Sequence, residues 1–261
     1  MKTSLCSLAG SKVLELFFPQ GCACCGKSLF HPAETWRGIC FSCAERLFEV
    51  FSADGIKRCS VCGKPLVSEL ERCMACRRGP EHSFDRLFSV FPYQGDYRNV
   101  LAAYKFGARR NVGRFLAACL MKAASSPFWG ACLPDGRTPL RQGGGPVWVP
   151  VPPRPGKIRK AGWDQVDHLA KLLEKNGETV CRCLKRLRSG TQKILGREAR
   201  KNNLRGKILV RKEYAGGGKT TPPEVFLFDD VYTTGSTMDA CAAALKASGT
   251  AAVCGICLFY D

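Results

Sequence analysis

Val225-Phe226-Leu227-Phe228-Asp229-Asp230-Val231-Tyr232-Thr233-Thr234-Gly235-Ser236-Thr237 is the stretch that decides how this chain folds. An apolar strand over 224–228 ends in two adjacent carboxylates, and a loop of Thr, Gly and Ser then opens a helix over 236–247. Such a loop points backbone N–H groups and hydroxyls at the positive end of a helix, where a phosphate monoester is favoured. Gly235 permits close backbone approach, and Ser236 or Thr237 can cap the helix. Adjacent acids suit the other half of a ligand, because carboxylates accept hydrogen bonds from vicinal hydroxyls. A sugar phosphate meets both halves at once.

Working outward, the neighbouring segments repeat the strand–helix rhythm. Strands are expected over 86–93, 147–151, 180–187 and 251–259, and helices over 96–106, 112–124 and 163–175. In the last of these Val166, Leu169, Ala170, Leu172 and Leu173 share the inward face. A basic helix is expected over 195–203, and glycine-rich loops at 143–145 and 216–218. Near-continuous apolar strands alternating with helices predict a parallel sheet covered on both faces.

The N-terminal third reads differently. Cys22, Cys25, Cys40, Cys43, Cys59, Cys62, Cys73 and Cys76 make four C-x-x-C pairs among 17 cysteines. Each pair can form a knuckle that points two thiolates at one ion, with Gly26 and Gly63 relieving crowding after the second cysteine. Gaps of 14 and 10 residues between pairs suit four-thiolate structural zinc, so eight ligands mean two zinc ions. A sequential partition is simplest, Cys22, Cys25, Cys40 and Cys43 for one ion and Cys59, Cys62, Cys73 and Cys76 for the other. A cross-braced partition has the same spacing. Cys24 is expected to point away, and His31 is either a substitute ligand or a turn residue. With so little apolar sequence the region should fold only with metal, and chelation should unfold it while sparing the rest.

A chain of 261 residues with 45% apolar and 24% charged residues buries a real core, which excludes collagen-like and disordered classes. Residues 1–20 read as an amphipathic helix with Leu5, Leu8, Leu16 and Phe17 near one face. Ser11 stands where a lipoprotein signal needs its cysteine, and no run approaches the ~20 apolar residues of a membrane span. A reduced cytoplasmic location without membrane insertion is the expectation. The net charge of +18 is concentrated: residues 141–220 hold 20 Lys and Arg against 6 Asp and Glu, or +14. That stretch is either a solvated face or a surface for polyanions, phosphorylated small molecules and nucleic acid alike.

The 225–237 segment resembles the signature of type I phosphoribosyltransferases, which bind 5-phosphoribosyl 1-pyrophosphate (PRPP) with magnesium. The resemblance implies that Asp229 and Asp230 hold the ribose hydroxyls as the catalytic pair, while Thr233, Thr234, Gly235, Ser236 and Thr237 cradle the 5′-phosphate. Members acting on 6-oxopurines carry an aspartate where this chain has Thr233, so hypoxanthine and guanine are disfavoured. The whole chain resembles the ComF family of competence and predicted amidophosphoribosyltransferase-like proteins. That resemblance rests on Phe17-Phe18-Pro19 before the first knuckle, the double zinc ribbon, Tyr93, Lys105-Phe106, Val149-Pro150-Val151-Pro152, Gly162-Trp163-Asp164-Gln165, and Gln192, Leu195, Arg200 and Asn203. The family's arginine, phenylalanine and asparagine around Gly162 are Ala161, Trp163 and Asp164 here.

The fold so implied is α/β. A type I phosphoribosyltransferase-like parallel sheet flanked by helices spans 84–261, preceded by a small double zinc-ribbon domain over 21–80 and the 1–20 leader. The loop after Val151 would hold pyrophosphate, 188–205 would form a hood, and Lys105, Arg159, Arg197 and Arg200 are candidate pyrophosphate or DNA contacts. Two functions follow. One is phosphoribosyl transfer from PRPP to an acceptor that the sequence does not specify. The other is a single-stranded DNA factor for uptake or recombination, acting with competence or recombination proteins and using the fold as a non-catalytic or PRPP-sensing scaffold, with Trp163 and Tyr214 as candidate base stackers.

Overall fold

The computed structural model describes residues 20–51, 56–67, 70–129, 147–187, 206–215 and 218–261. Nearly all of the leader, the whole glycine-rich loop at 143–145, the helix expected over 195–203, the 188–205 hood and Gly216-Gly217 lie outside them.

Seven strands occur among the described residues: β1 (Arg86–Pro92), β2 (Val147–Pro150), β3 (Thr179–Val180), β4 (Leu184–Arg186), β5 (Ile208–Val210), β6 (Glu224–Tyr232) and β7 (Ala252–Tyr260). Five form one parallel sheet in the order β1-β7-β6-β2-β3, and β4 and β5 make a separate antiparallel pair. The sheet is the one that the sequence rhythm predicts. Central strands β6 and β7 are apolar on both sides because helices cover both faces; Phe226, Leu227, Phe228, Cys254, Ile256 and Cys257 are all fully buried.

The helices are α1 (Pro32–Arg37), α2 (Phe41–Phe48), α3 (Met74–Arg78), α4 (Gly95–Lys105), α5 (Val112–Ala124), α6 (Lys157–Ala161), α7 (Gln165–Lys175) and α8 (Ser236–Lys246). Helices α5 and α7 lie with Trp129, Trp148 and Phe226 in one apolar cluster, and α8 lies with Leu87, Val149, Leu227 and the β4–β5 pair in the other. Burying each such large side chain contributes about 1.5–3 kcal/mol.

Three segments differ from expectation. The strand expected over 180–187 is two strands in two sheets, because the chain leaves the main sheet at Cys181–Cys183 and pairs Leu184 with Val210. The strand expected to stop at Phe228 runs to Tyr232: the long apolar β7 offers a partner throughout, with Asp229 opposite Cys257 and Tyr232 opposite Tyr260. The helix expected from Trp163 begins at Gln165, because the Asp164 carboxylate accepts from Val166 N and Asp167 N, both at 3.0 Å, and so caps it.

The cysteine-rich region is not a free appendage. Cys22, Cys40, Cys43 and Leu47 belong to the α5–α7 cluster, whereas Cys59 and Cys62 belong to the α8 cluster, so the two knuckle sets grip opposite faces of the sheet. Edge strand β1 is the junction. Leu87 N donates to Val61 O at 2.9 Å, Ser89 Oγ donates to Cys62 O at 2.8 Å, and Arg58 bridges Gly63 O at 2.8 Å and Ser89 O at 3.1 Å. On the other face Arg109 donates to Gly21 O at 2.6 Å and Asn111 to Thr35 O at 2.8 Å. Chelation that spares the rest is therefore not what this packing implies, because loss of the knuckles removes core from both faces.

Candidate functional site

Order in the sheet locates the site. From β2 the chain moves outward to β3, and from β6 it moves outward in the opposite direction to β7. The carboxyl ends of β2 and β6 thus flank a topological switch point, where open α/β sheets leave a crevice for ligands. A cavity of about 570 Å3 opens there.

Asp229, Asp230 and Thr237 line it, together with the segment 151–157 that leaves β2. Five cations face it: Lys105, Arg154, Lys157, Lys160 and Arg186, against the acids Asp164, Asp229 and Asp230. Lys105 reaches from the last turn of α4 to Asp230, Nζ to Oδ2 at 2.8 Å. Asp230 N donates to Asp229 Oδ1 at 2.8 Å. Burial first, and the Asp230 charge second, push the Asp229 carboxyl well above the usual carboxylate range, with Lys105 opposing. A proton or a divalent cation relieves that conflict.

The segment 162–165 organises this wall. Asp164 Oδ2 takes Lys157 Nζ at 2.6 Å, Lys157 also bonds Gln165, and Gln165 Nε2 donates to Lys105 O at 3.3 Å. Tyr104, beside Lys105, donates its hydroxyl to Gln165 O at 2.8 Å. Trp163 meets Tyr104 edge to face at 5.4 Å and carries Arg110 on its ring, and Tyr214 packs against the α8 cluster with Lys219 above it. Both rings do packing work.

The loop residues divide. Gly235 has φ +74°, and a Cβ there would stand 2.8 Å from Tyr232 Oη, so the close approach that needs glycine is to that ring. Thr237 faces the 570 Å3 cavity, whereas Thr233, Thr234 and Ser236 line a second cavity of about 280 Å3 against Cys62, Cys73 and Cys76. Thr234 Oγ1 and Ser236 Oγ are 2.9 Å apart.

Of the cations singled out in the sequence, Lys105 is at the site, Arg159 is not among the residues lining either cavity, and Arg197 and Arg200 lie outside the described residues. Sequence reasoning did not single out Arg154, Lys157, Lys160 and Arg186. The signal for Arg154 is its place just after a strand at the switch point; Arg186 has none, because its strand belongs to the separate pair.

The thiols of Cys22, Cys25, Cys40 and Cys43 lie within 4.8 Å of one another, as do those of Cys59, Cys62, Cys73 and Cys76. That is the sequential grouping. The protons show the strain of packing four thiols: Cys59 is held low because Cys62 and Cys76 donate to it, and Cys62 is pushed up to about 12 by the same contact. Four thiolates around a divalent ion resolve this, and both groups fit structural zinc. Cys24 stays outside the group, its Sγ 3.5 Å from Arg46 Nη2. His31 caps α1, accepting from Ala33 N at 3.2 Å, and is a turn residue.

Residues 13–77 match the double zinc ribbon domain. The matched segment covers both four-cysteine groups, so the double zinc ribbon is the part of the chain that a known family describes. A search of curated proteins returned no match. Among the described residues no helix is long and apolar enough to cross a membrane.

Proposed function

We propose that this protein binds PRPP with magnesium and transfers its phosphoribosyl group to an acceptor nucleophile, as its resemblance to type I phosphoribosyltransferases and the ComF family implies. The observation that carries the reading is the cavity at the carboxyl ends of β2 and β6, where Asp229 and Asp230, Lys105 and the first turn of α8 meet. A ribose ring placed over Asp229 and Asp230 donates its hydroxyls to them. Its 5′-phosphate turns toward the α8 N-terminus, and its pyrophosphate toward Arg154, Lys157 and Lys160. In the reaction the bond from the anomeric carbon to pyrophosphate breaks, charge builds on the departing oxygens, and the acceptor's electron pair forms the new bond. The cavity cations offset the departing charge, and Asp229 and Asp230 sit beneath a ring that becomes oxocarbenium-like. Magnesium, when bound, neutralises pyrophosphate charge.

Titration calorimetry tests the reading with PRPP and magnesium on the zinc-loaded protein and on Asp229→Asn combined with Asp230→Asn. Saturable heat that the double variant abolishes supports it. No heat from the unmodified protein sinks it.

A further inference from the structure

The 280 Å3 cavity is walled on one side by the second four-cysteine group and on the other by the loop 233–236. Nothing in a phosphoribosyl site as such requires zinc chemistry nearby, so the contacts across this cavity call for a role.

They form a continuous path. Lys64 follows the metal ligand Cys62 by two residues, and its ammonium bonds the main-chain oxygen of Asp261. It also lies over the rings of Tyr232 and Tyr260, 5.8 and 5.2 Å from their centroids. Those tyrosines are register partners at the ends of β6 and β7, and Asp261 N donates to Tyr232 O at 3.1 Å. The Tyr232 ring is the surface against which Gly235 makes its left-handed turn. A second strap runs alongside: Asp239, in the first turn of α8, accepts from Ser83 N at 2.6 Å. The adjacent His82 lines the cavity with its side chain nine-tenths buried and its Nδ1 3.7 Å from Asp239 Oδ1, without a hydrogen bond. The turn that opens α8 is thus held at its start by the ribbon, through Lys64 and Tyr232, and at Asp239 by the segment that follows the ribbon. The first four-cysteine group lies in the other apolar cluster and lines neither cavity.

We propose that Lys64 is a positioning residue through which zinc in the Cys59, Cys62, Cys73 and Cys76 group holds the loop 233–236 in its ligand-binding shape. This rests on reading that loop as the phosphate subsite of PRPP. Coupling between two sites is reciprocal, so PRPP tightens binding of the second zinc by the same factor as that zinc tightens PRPP binding. No residue of the first four-cysteine group lines the 280 Å3 cavity, so the first zinc lacks this direct route to the loop.

The test uses the full, zinc-loaded chain. Hydrogen exchange on Lys64→Met is expected to rise across residues 231–237 and to stay unchanged across β2 and α7, with Lys64→Arg restoring protection. Zinc affinity, read by equilibrium competition with a colorimetric chelator, is expected to resolve two sites, of which PRPP with magnesium tightens one by about tenfold, a typical coupling. The exchange arm needs no ligand: unchanged exchange at 231–237 in Lys64→Met overturns the positioning role whether or not PRPP binds. Two zinc affinities that ignore bound PRPP overturn the coupling. Absence of PRPP binding with raised exchange in Lys64→Met counts against the PRPP reading and leaves the positioning role standing.

Discussion

The two knuckle glycines make a matched pair for measuring how firmly the ribbon is docked. Gly26 and Gly63 follow Cys25 and Cys62 in equivalent turns, with φ +77° and +65°. A Cβ on Gly26 meets nothing within 4 Å, so Gly26→Ala costs only the left-handed backbone penalty, about 1 kcal/mol. A Cβ on Gly63 would stand 2.3 Å from Leu87 O, 2.8 Å from Phe88 Cα and 3.0 Å from Ser89 N. All three are backbone atoms of edge strand β1, which cannot swing aside as a side chain would. The knuckle must retreat by about 1 Å to restore ordinary contact, and it forfeits three docking hydrogen bonds: Leu87 N to Val61 O, Ser89 Oγ to Cys62 O, and Arg58 to Ser89 O. At about 1 kcal/mol each these add about 3 kcal/mol, for a total near ~4 kcal/mol. Urea unfolding at a fixed free zinc concentration, followed by circular dichroism, gives both values. Gly63→Ala and Gly26→Ala within about 0.5 kcal/mol of each other, well inside the predicted gap, would refute docking of the second ribbon on β1.

Three further outcomes are expected. Cys181, pulled down to about 6 chiefly by a hydrogen bond from Cys183, is thiolate above that pH; its alkylation in zinc-loaded protein should plateau near neutrality and fall below pH about 6, and mass spectrometry showing a half-maximum near the usual thiol pKa contradicts it. Chelation should abolish the near-ultraviolet dichroism of buried Trp129 and Trp148 along with the ribbon, because the four-cysteine groups are packed into the two apolar clusters of the sheet; an unchanged sheet transition after zinc removal counts against shared packing. Asp229, its carboxyl pKa raised by burial, holds its proton further up the pH scale than an ordinary carboxylate and loses it when magnesium arrives with PRPP; binding should tighten as pH rises, and calorimetric heats should vary with buffer ionisation enthalpy, whereas buffer-independent heat argues against the proton release.

What the sequence could show depended on the range of the forces involved. The β6–loop–α8 unit and the inward face of α7 were legible because both are periodic and local, and the C-x-x-C pairs because two ligands three residues apart are a local geometry. Tertiary pairing was not. The split at Cys181–Cys183 depends on β5, a three-residue strand that no window resolves, and the run of β6 through Asp229 depends on β7 offering a partner beyond the last apolar residue. The gathering of Lys105, Arg154 and Arg186 from three distant segments, and the approach of Lys64 to Tyr232, are consequences of packing alone. The basic surplus of 141–220 proves partly interpretable: Arg154, Lys157, Lys160 and Arg186 face the cavity beside Asp229 and Asp230.

The central claim is that this cavity is a sugar-phosphate site and not merely a basic patch. Its most direct test is equilibrium binding of magnesium-PRPP against its two halves, ribose 5-phosphate and magnesium pyrophosphate, measured side by side by calorimetry. A site using Asp229 and Asp230, the α8 turn and the cations of 154–160 together binds PRPP at least about tenfold more tightly than either half, a difference of about 1.4 kcal/mol. Pyrophosphate binding as tightly as PRPP, with ribose 5-phosphate silent, contradicts it.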